Sequence, residues 1–440
     1  MKKLKYLLLN PLVVLLKIEK LNYRFQAMLK YFLFILVCNI SEISSQSLTY
    51  YSDIEPIIKK NCTTCHRENG AGPFMLTSFE DVNKRATFIK KVTADRYMPP
   101  FPADVGFRNY HNQRYLSDEE IKKIAEWVDN GKQEGKKSRN LYSTKEATVK
   151  STVLKPDIIL HLQKPFIIPG NNKEQWRVFV IPVNNEEELY ISGVDFIPKN
   201  KKLAHHCRIM IDTTNKLRAD DGIEVGEESE FSRTGTKLQS NFWHGWIPGN
   251  SIIFYPDSVV KILPKHSDLI LNLHYAPSPI EVIETAEVHL YFSKIKSKKI
   301  AKTFILDENQ VSNPPFFIKH DTIIKFYMRS PIIPADLYLM TVTPHAHIFC
   351  KNFKSYAVTP EGDLIPLVKI DHWRFNWQLT YQFEGYLKLP KGSVVYAEAE
   401  YDNTIGNPLN PNYPPSDINY GWGTKNEMMN LIFQYIDKNE

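Results

Sequence analysis

Two segments in the first third of the chain carry apolar residues at helical spacing. Three isoleucines share one face of the segment Tyr50–Lys60. A second apolar stripe consists of Ile121, Ile124, Trp127 and Val128. Ser117 and Glu120 precede this stripe at the spacing of a capping box, which marks a helix start. The pattern predicts a short helix, then a loop, then a closing helix.

Beyond about residue 155 the helical period disappears and β-rich runs replace it. The runs are separated by Pro, Gly and Asn turns, for example at 169–172 and 360–363. The clearest runs are Gln175–Val183, Leu189–Phe196, Leu269–Tyr275, Ile323–Met328, Leu337–Val342 and Ser393–Tyr401. This pattern is typical of antiparallel β-sandwiches, and roughly 290 residues suit two sandwiches better than one. A break is predicted near Ser293–Ala301.

The order of these patterns predicts a multidomain protein, which agrees with a length of 440 residues. A polar stretch, Gly131–Lys150, separates the two parts and predicts a linker. We therefore expect a small all-α domain followed by two all-β antiparallel, jelly-roll-like sandwich domains. The predicted divisions are a leader at 1–45, the helical domain at 46–132, a linker at 133–152, and sandwiches at 153–298 and 299–440.

The first 45 residues have the features of an export signal. A broken apolar run, Leu7–Leu16, is followed by a second run, Tyr31–Cys38. The second run is typical of a signal peptide, which we expect to end near Ser44. Met1 and Met28 are both plausible starts. Because both runs are short for a bilayer span, we expect a periplasmic or secreted protein whose mature chain has no transmembrane helix.

Charge adds little to this picture. The leader contains seven Lys/Arg and two acidic residues, and so carries five of the six excess positive charges of the chain. The remainder is near neutral, which gives no indication of nucleic-acid binding.

The most specific motif is Cys62-Thr63-Thr64-Cys65-His66. At this spacing two thiols form thioethers to one haem while the adjacent His ligates its iron. A thioredoxin-like or zinc Cys-x-x-Cys is the alternative. Met98 offers a thioether as the sixth ligand, with Met75 as the second candidate. Together with the flanking helices, the motif predicts a cytochrome c domain with one covalent haem c.

Histidines in the β-rich part are candidate metal ligands. His345 and His347 end an apolar run, and residues i and i+2 of a strand point to the same face. His205 and His206 are adjacent, so both can reach one ion only if the strand bulges or ends there. His274 closes another run.

Met428 stands in the late segment Asn426–Asn430. Imidazole combined with a thioether suits copper, especially Cu(I), better than zinc or calcium. Each of these residues, taken singly, is more often a structural residue than a metal ligand. Spacing alone therefore predicts a metal site of undetermined identity.

In their order and context these residues resemble the copper type II, ascorbate-dependent monooxygenases, the family of peptidylglycine α-hydroxylating monooxygenase and dopamine β-monooxygenase. The resemblance covers about Pro156–Tyr435. It implies two coppers, an electron-storing one on His205, His206 and His274 and an oxygen-binding one on His345, His347 and Met428. Further similar segments are Phe375–Gln378, Tyr401–Thr404 and, for fused cytochromes, Met98–Phe101 with Ala103-Asp104.

Four positions bear on how far the resemblance extends. Thr343 stands where the family has a peptide-binding Arg, and Ile432 where it has a Tyr, so a peptidylglycine substrate is not expected. Cys207 and Cys350 lie beside the two copper motifs. They are either two buried thiols or an interdomain disulfide.

The resemblance implies an exported enzyme that hydroxylates a C–H bond of a small substrate with O2. One oxygen atom enters the substrate and the other leaves as water, so two electrons are required. We expect an ascorbate-like reductant or a redox protein to supply them, with the haem replacing or relaying that donor while tethered by the linker. The alternative is a non-catalytic haem/copper electron-transfer protein.

Overall fold

The computed structural model describes residues 47–68, 70–111, 113–137, 155–225, 231, 242–248, 253–256, 258–294, 299–421, 423 and 425–437. The predicted leader lies outside these residues. A helical part precedes a β-rich part with several antiparallel sheets, which confirms the predicted succession. Among the described residues, no helix combines the length and apolar character that crossing a membrane requires.

The helical part contains a π-helical turn, Tyr50–Ile54, that continues as α1 (Glu55–Asn61), then α2 (Phe79–Ala94) and α3 (Asp118–Asp129). Both predicted helices are confirmed, and Ser117 and Glu120 form the predicted capping box. The predicted loop is wrong in one respect, because it contains α2. The core of the helical part consists mainly of Tyr50, Ile54, Ile58, Val82, Ala86, Ile89, Ile124 and Trp127.

The first group of strands follows residue 155. It comprises β1 (Ile158–His161), β2 (Phe166–Ile168), β3 (Gln175–Pro182), β4 (Leu189–Ile197), β5 (Ala204–Asp212), β6 (Phe242–Trp246), β7 (Ile253–Phe254), β8 (Val259–Leu263), β9 (Asp268–Tyr275), β10 (Val282–Glu284), β11 (Glu287–Phe292) and β12 (Lys299–Ile300). The main sheets have the orders β1-β11-β4-β8-β12, with β7 beside β4, and β3-β9-β5-β6. Buried residues of both sheets share one core.

The second group begins directly after Ala301. It comprises β13 (Lys302–Leu306), β14 (Phe317–Ile318), β15 (Ile323–Arg329), β16 (Leu337–Ala346), β17 (Cys350–Val358), β18 (Leu364–Ile370), β19 (Tyr381–Leu389), β20 (Val394–Asp402), β21 (Ile418–Asn419) and β22 (Met429–Asp437). Its main sheets have the orders β13-β22-β16-β19 and β15-β20-β17-β18, and they share a second core. Short 3-10 helices occupy Lys216–Asp220 and Glu308–Gln310.

Residues 101–111, here called the strap, connect the helical part to the second core. The Phe101 ring meets the Tyr381 ring edge-on, with centroids 5.4 Å apart. Tyr110 is 2% exposed, packs on the same ring, and donates its hydroxyl to the Leu367 carbonyl at 2.8 Å. Asp104 pairs with Lys369 at 3.0 Å. The strap therefore holds the helical part in direct contact with the β-rich part.

The described part of the predicted linker belongs to the helical domain. The Gln133 carbonyl accepts the backbone N–H of Tyr50 at 2.8 Å and the indole N–H of Trp127 at 2.9 Å. Residues 138–152 lie outside the described residues. Since the strap packs in the second core, contact with the β-rich part does not depend on the predicted linker alone.

Replacing Tyr110 tests the strap. We expect Tyr110→Ala to lower the unfolding free energy by about 3 kcal/mol, because a buried aromatic ring is lost from the core. Tyr110→Phe is the matched control and should cost only about 1 kcal/mol, the hydrogen bond to Leu367. Urea unfolding followed by circular dichroism measures both. Equal midpoints for Tyr110→Ala and the unmodified protein would show that the strap carries no packing energy.

Candidate haem pocket and histidine clusters

One cleft of the helical domain gathers the four predicted haem-binding residues. Cys62, Cys65, His66 and Met98 all line it, and the rest of its wall is largely apolar. The motif forms a tight turn directly after α1, in which the Cys62 carbonyl accepts the backbone N–H of His66 at 2.9 Å. Both cysteines are thereby presented on one wall of the cleft.

The His66 ring is oriented by its surroundings. Its Nδ1 lies 2.9 Å from the Phe74 carbonyl, which leaves Nε2 as the atom available to an iron. A Cβ on Gly72 would lie 2.7 Å from the same Nδ1, so a larger residue there would displace the ring. Burial lowers the pKa of His66, which favours the neutral imidazole that ligation needs.

The two candidate thioethers differ in position. Met98 lines the cleft, after a helix α2 that carries the chain across the domain. Met75 does not line it, and its side chain is 45% exposed. The geometry therefore favours Met98, and the thiol, imidazole and thioether set fits haem c.

A second cluster lies on strands β5 and β9 of the first β group. The candidate ligand atoms of His205, His206 and His274 all lie within 4.8 Å of one another. His206 stands opposite His274, and the register shifts between Ala204 and His206. This irregularity is the bulge that two adjacent histidines require if both are to face one ion.

Burial disfavours protonation of these imidazoles. It lowers the pKa of His205 to about 4 and that of His206 well below its usual range, and the neighbouring histidines add to both effects. His205 Nδ1, His206 Nε2 and both ring nitrogens of His274 are buried without a hydrogen-bond partner among the described residues. Such atoms are rare because each costs about 1–3 kcal/mol. Three of them converging fit a metal ion.

The His274 imidazole also contacts an aromatic ring and lies near a carboxylate. Trp176, opposite it on β3, stacks on the imidazole with centroids 4.0 Å apart and a 12° interplanar angle. A Glu174 carboxylate oxygen lies 3.4 Å from His274 Nε2, without forming a well-directed hydrogen bond. The ring orientation is therefore fixed before any ion binds.

His345 and His347 lie at the end of β16 in the second β group. Their ring centroids are 5.2 Å apart at 90°. His345 stands opposite Asn430 on β22, so Met428, two residues before Asn430, faces the same side of the sheet. His345 Nε2 is buried without a hydrogen-bond partner among the described residues, and burial lowers the pKa of His345 well below its usual range.

The segment before Met428 positions His347. The Asn426 carbonyl lies 3.0 Å from His347 Nδ1, which leaves Nε2 for an ion. The buried Glu427 carboxylate accepts the backbone N–H groups of His347, Phe349 and Met428. This carboxylate ties the end of β16 to the start of β22, and so brings the histidines and Met428 to one corner.

Two aromatic rings lie between the histidine clusters. The Phe375 centroid is 6.1 Å from those of His274 and His347. Trp176, which stacks on His274, is 6.4 Å from His347. Between them, the two rings contact all three histidines of the first cluster and His347 of the second.

Comparison with known proteins identifies the helical part. Residues 53–132 match the family model for cytochrome c. Residues 53–132 form a cytochrome c domain. No curated protein matches the sequence.

The solved structures that match are distant. They include the major capsid protein P2 from Bacteriophage PM2 (7% identity, 64% of this chain and 97% of that chain, TM-score 0.24) and the ANXUR2 extracellular domain from Arabidopsis thaliana (11% identity, 64% and 90%, TM-score 0.16). At these TM-scores the likeness carries no argument about structure or function.

Sequence reasoning missed several residues of the β-rich site. Trp176 and Arg208 have no recognisable motif, and their relevance follows only from strand pairing. Arg208 is buried two residues after His206, and burial lowers its pKa to about 10. The disulfide alternative is wrong, because Cys207 and Cys350 are free thiols buried in separate cores.

Replacing each of the two candidate methionines, Met98 and Met75, by alanine tests the haem ligation. We expect Met98→Ala to abolish the weak near-infrared band of Met-ligated ferric haem, because no other thioether lines the described cleft. Met75→Ala should leave the band unchanged. Absorption spectra of the oxidised proteins decide between them. A band that survives in Met98→Ala and disappears in Met75→Ala would reverse the assignment.

Proposed function

We propose that this protein is an exported copper-dependent monooxygenase that hydroxylates a C–H bond of a small substrate. In this proposal two jelly-roll-like sandwich domains each hold one copper, and the cytochrome c domain delivers electrons. The carrying observation is the convergence of buried imidazole nitrogens without hydrogen-bond partners beside a second histidine pair. Covalent haem attachment and the predicted leader support export.

The first cluster is suited to storing an electron. His206 and His274 are buried, burial lowers the pKa of His205 and of His206, and Trp176 stacks on His274. The family resemblance assigns electron storage to this cluster.

The second cluster is suited to the chemical step. His345 and His347 offer imidazoles, and Met428 offers a soft thioether that favours Cu(I). Copper in these two clusters would supply one-electron redox chemistry and, at the thioether side, the activation of dioxygen. Glu427 and the Asn426 carbonyl hold the protein ligands in place.

The positive charge of Arg208 helps to keep the ligands unprotonated. Its guanidinium lowers the pKa of His206, His345 and His347, in each case after the larger effect of burial. Neutral imidazole is the form that binds a metal. Arg208 therefore helps to keep these imidazoles neutral, while its positive charge would oppose the binding of a metal cation.

The overall reaction needs two electrons and two protons. The substrate C–H bond and O2 give a hydroxylated product and one water, with the electrons arriving singly through haem c. A redox protein or a small reductant outside the chain must reduce the haem after each transfer. The cytochrome c domain supports such a one-electron supply.

Three substitutions test the assignment in the intact haem protein. We expect two coppers per chain, and loss of substrate-dependent O2 uptake in His345→Ala and Met428→Ala while one copper remains. Met429→Leu is the matched control, because Met429 packs in the second core on the opposite side of β22. It should retain both coppers and most of the turnover.

Copper analysis and an oxygen electrode provide the measurements, with small extracellular metabolites screened as substrates. Turnover that persists in His345→Ala would rule out the monooxygenase. Two coppers with rapid haem oxidation, but no substrate-dependent O2 uptake across the screen, would favour the electron-transfer alternative.

A further inference from the structure

One irregular segment contacts the haem cleft and the histidine clusters at the same time. It spans residues 371–380, between β18 and β19 of the second β group. Trp377 lines the haem cleft together with Cys62, His66 and Met98. Phe375, two residues earlier, lies among the histidines. Two neighbouring side chains of this segment thus face the two candidate redox sites, Trp377 the haem cleft and Phe375 the histidines.

On the haem side, the contacts run through Tyr97, which precedes Met98. The Tyr97 and Trp377 rings have centroids 6.4 Å apart and meet edge-on at 67°. The Arg374 guanidinium lies over the Tyr97 ring at 5.4 Å. The wall of the haem cleft is therefore built partly from the β-rich part of the chain.

On the histidine side, the contacts run through Phe375. Its ring centroid lies 6.3 Å from those of His205 and His206 and 6.1 Å from that of His274. One side chain thus reaches every imidazole of the three-histidine cluster. It also reaches His347 of the second cluster at 6.1 Å.

The segment is held in place by hydrogen bonds at several points. The backbone N–H of Trp377 donates to the Arg374 carbonyl at 2.8 Å, and the Gln378 side-chain Nε2 donates to the Phe375 carbonyl at 3.0 Å. The Trp373 indole donates to the His347 carbonyl at 3.1 Å. These bonds fix the spacing of Phe375 and Trp377 relative to the histidines, while the strap fixes the cytochrome c domain.

We propose that Trp377 and Phe375 form the path by which electrons pass from haem c to copper in the three-histidine cluster. The inference rests on the proposed function, since it needs a redox-active metal there. In each passage one electron leaves the ferrous haem, which becomes ferric, and reduces Cu(II) to Cu(I). No bond forms or breaks and no proton moves. Between the two rings the covalent backbone at Asn376 replaces a solvent gap that would slow the transfer.

Intramolecular electron transfer in the full-length, copper-loaded protein tests the path. The haem is photoreduced without oxygen, and its reoxidation is followed by absorbance. We expect a first-order rate that is independent of protein concentration. Trp377→Leu and Phe375→Leu should each slow it several-fold, because an aromatic contact is lost, whereas Trp377→Phe should stay close to the unmodified protein.

Asn376→Ala is the matched control, because Asn376 is exposed between the two rings in the same segment. It should leave the rate unchanged. The haem reduction potential and the copper content should be the same in all variants, so that a change in rate reports the path alone. Slowing in Asn376→Ala equal to that in Trp377→Leu would indicate disturbance of the segment and overturn the proposal.

Different results would overturn the proposed function and the electron path. A protein that binds no copper, or whose copper does not accept electrons, would overturn the proposed function itself. Rapid haem reoxidation that is unaffected by both leucine variants would overturn the path and leave the monooxygenase assignment standing.

Discussion

The buried imidazole nitrogens without hydrogen-bond partners are the constraint on which the β-rich site depends. Each such atom costs about 1–3 kcal/mol unless it is paired, and three of them converge in one cluster. The bulge at His205 and the stacked Trp176 hold the imidazoles in this unfavourable arrangement. A bound metal would satisfy all of them at once, as the proposed function requires.

The position of the cytochrome c domain depends on its packing against the β-rich part. The strap inserts Phe101 and Tyr110 into the second core, and the segment with Phe375 and Trp377 completes the contact from the other side. A domain joined only by a flexible linker would meet the histidines by diffusion. Here packing replaces that search.

Local signals in the sequence predicted much of this structure. The haem motif, the capping box of α3 and the β-rich runs depend on neighbouring residues, so their spacing is sufficient. Helix α2 was recognisable in principle, since Ser78 caps it and Val82, Ala86 and Ile89 have helical spacing. The identities of the candidate metal ligands came from a resemblance, not from periodicity.

The rest depends on contacts between distant parts of the chain. Phe375 meets His205 although 170 residues separate them, and Tyr110 enters a core built from strands beyond residue 300. Hydrophobic pattern gives no register between such segments. Residues 101–111 likewise carry no sign in the sequence of which core they join.

The most direct test of the two-cluster metal centre is anomalous X-ray scattering at the copper edge from crystals of the copper-loaded, haem-containing protein. The account predicts two copper peaks per chain. One should lie among His205, His206 and His274, and the other among His345, His347 and Met428. Copper peaks absent from both positions, with the imidazoles still converging, would contradict it.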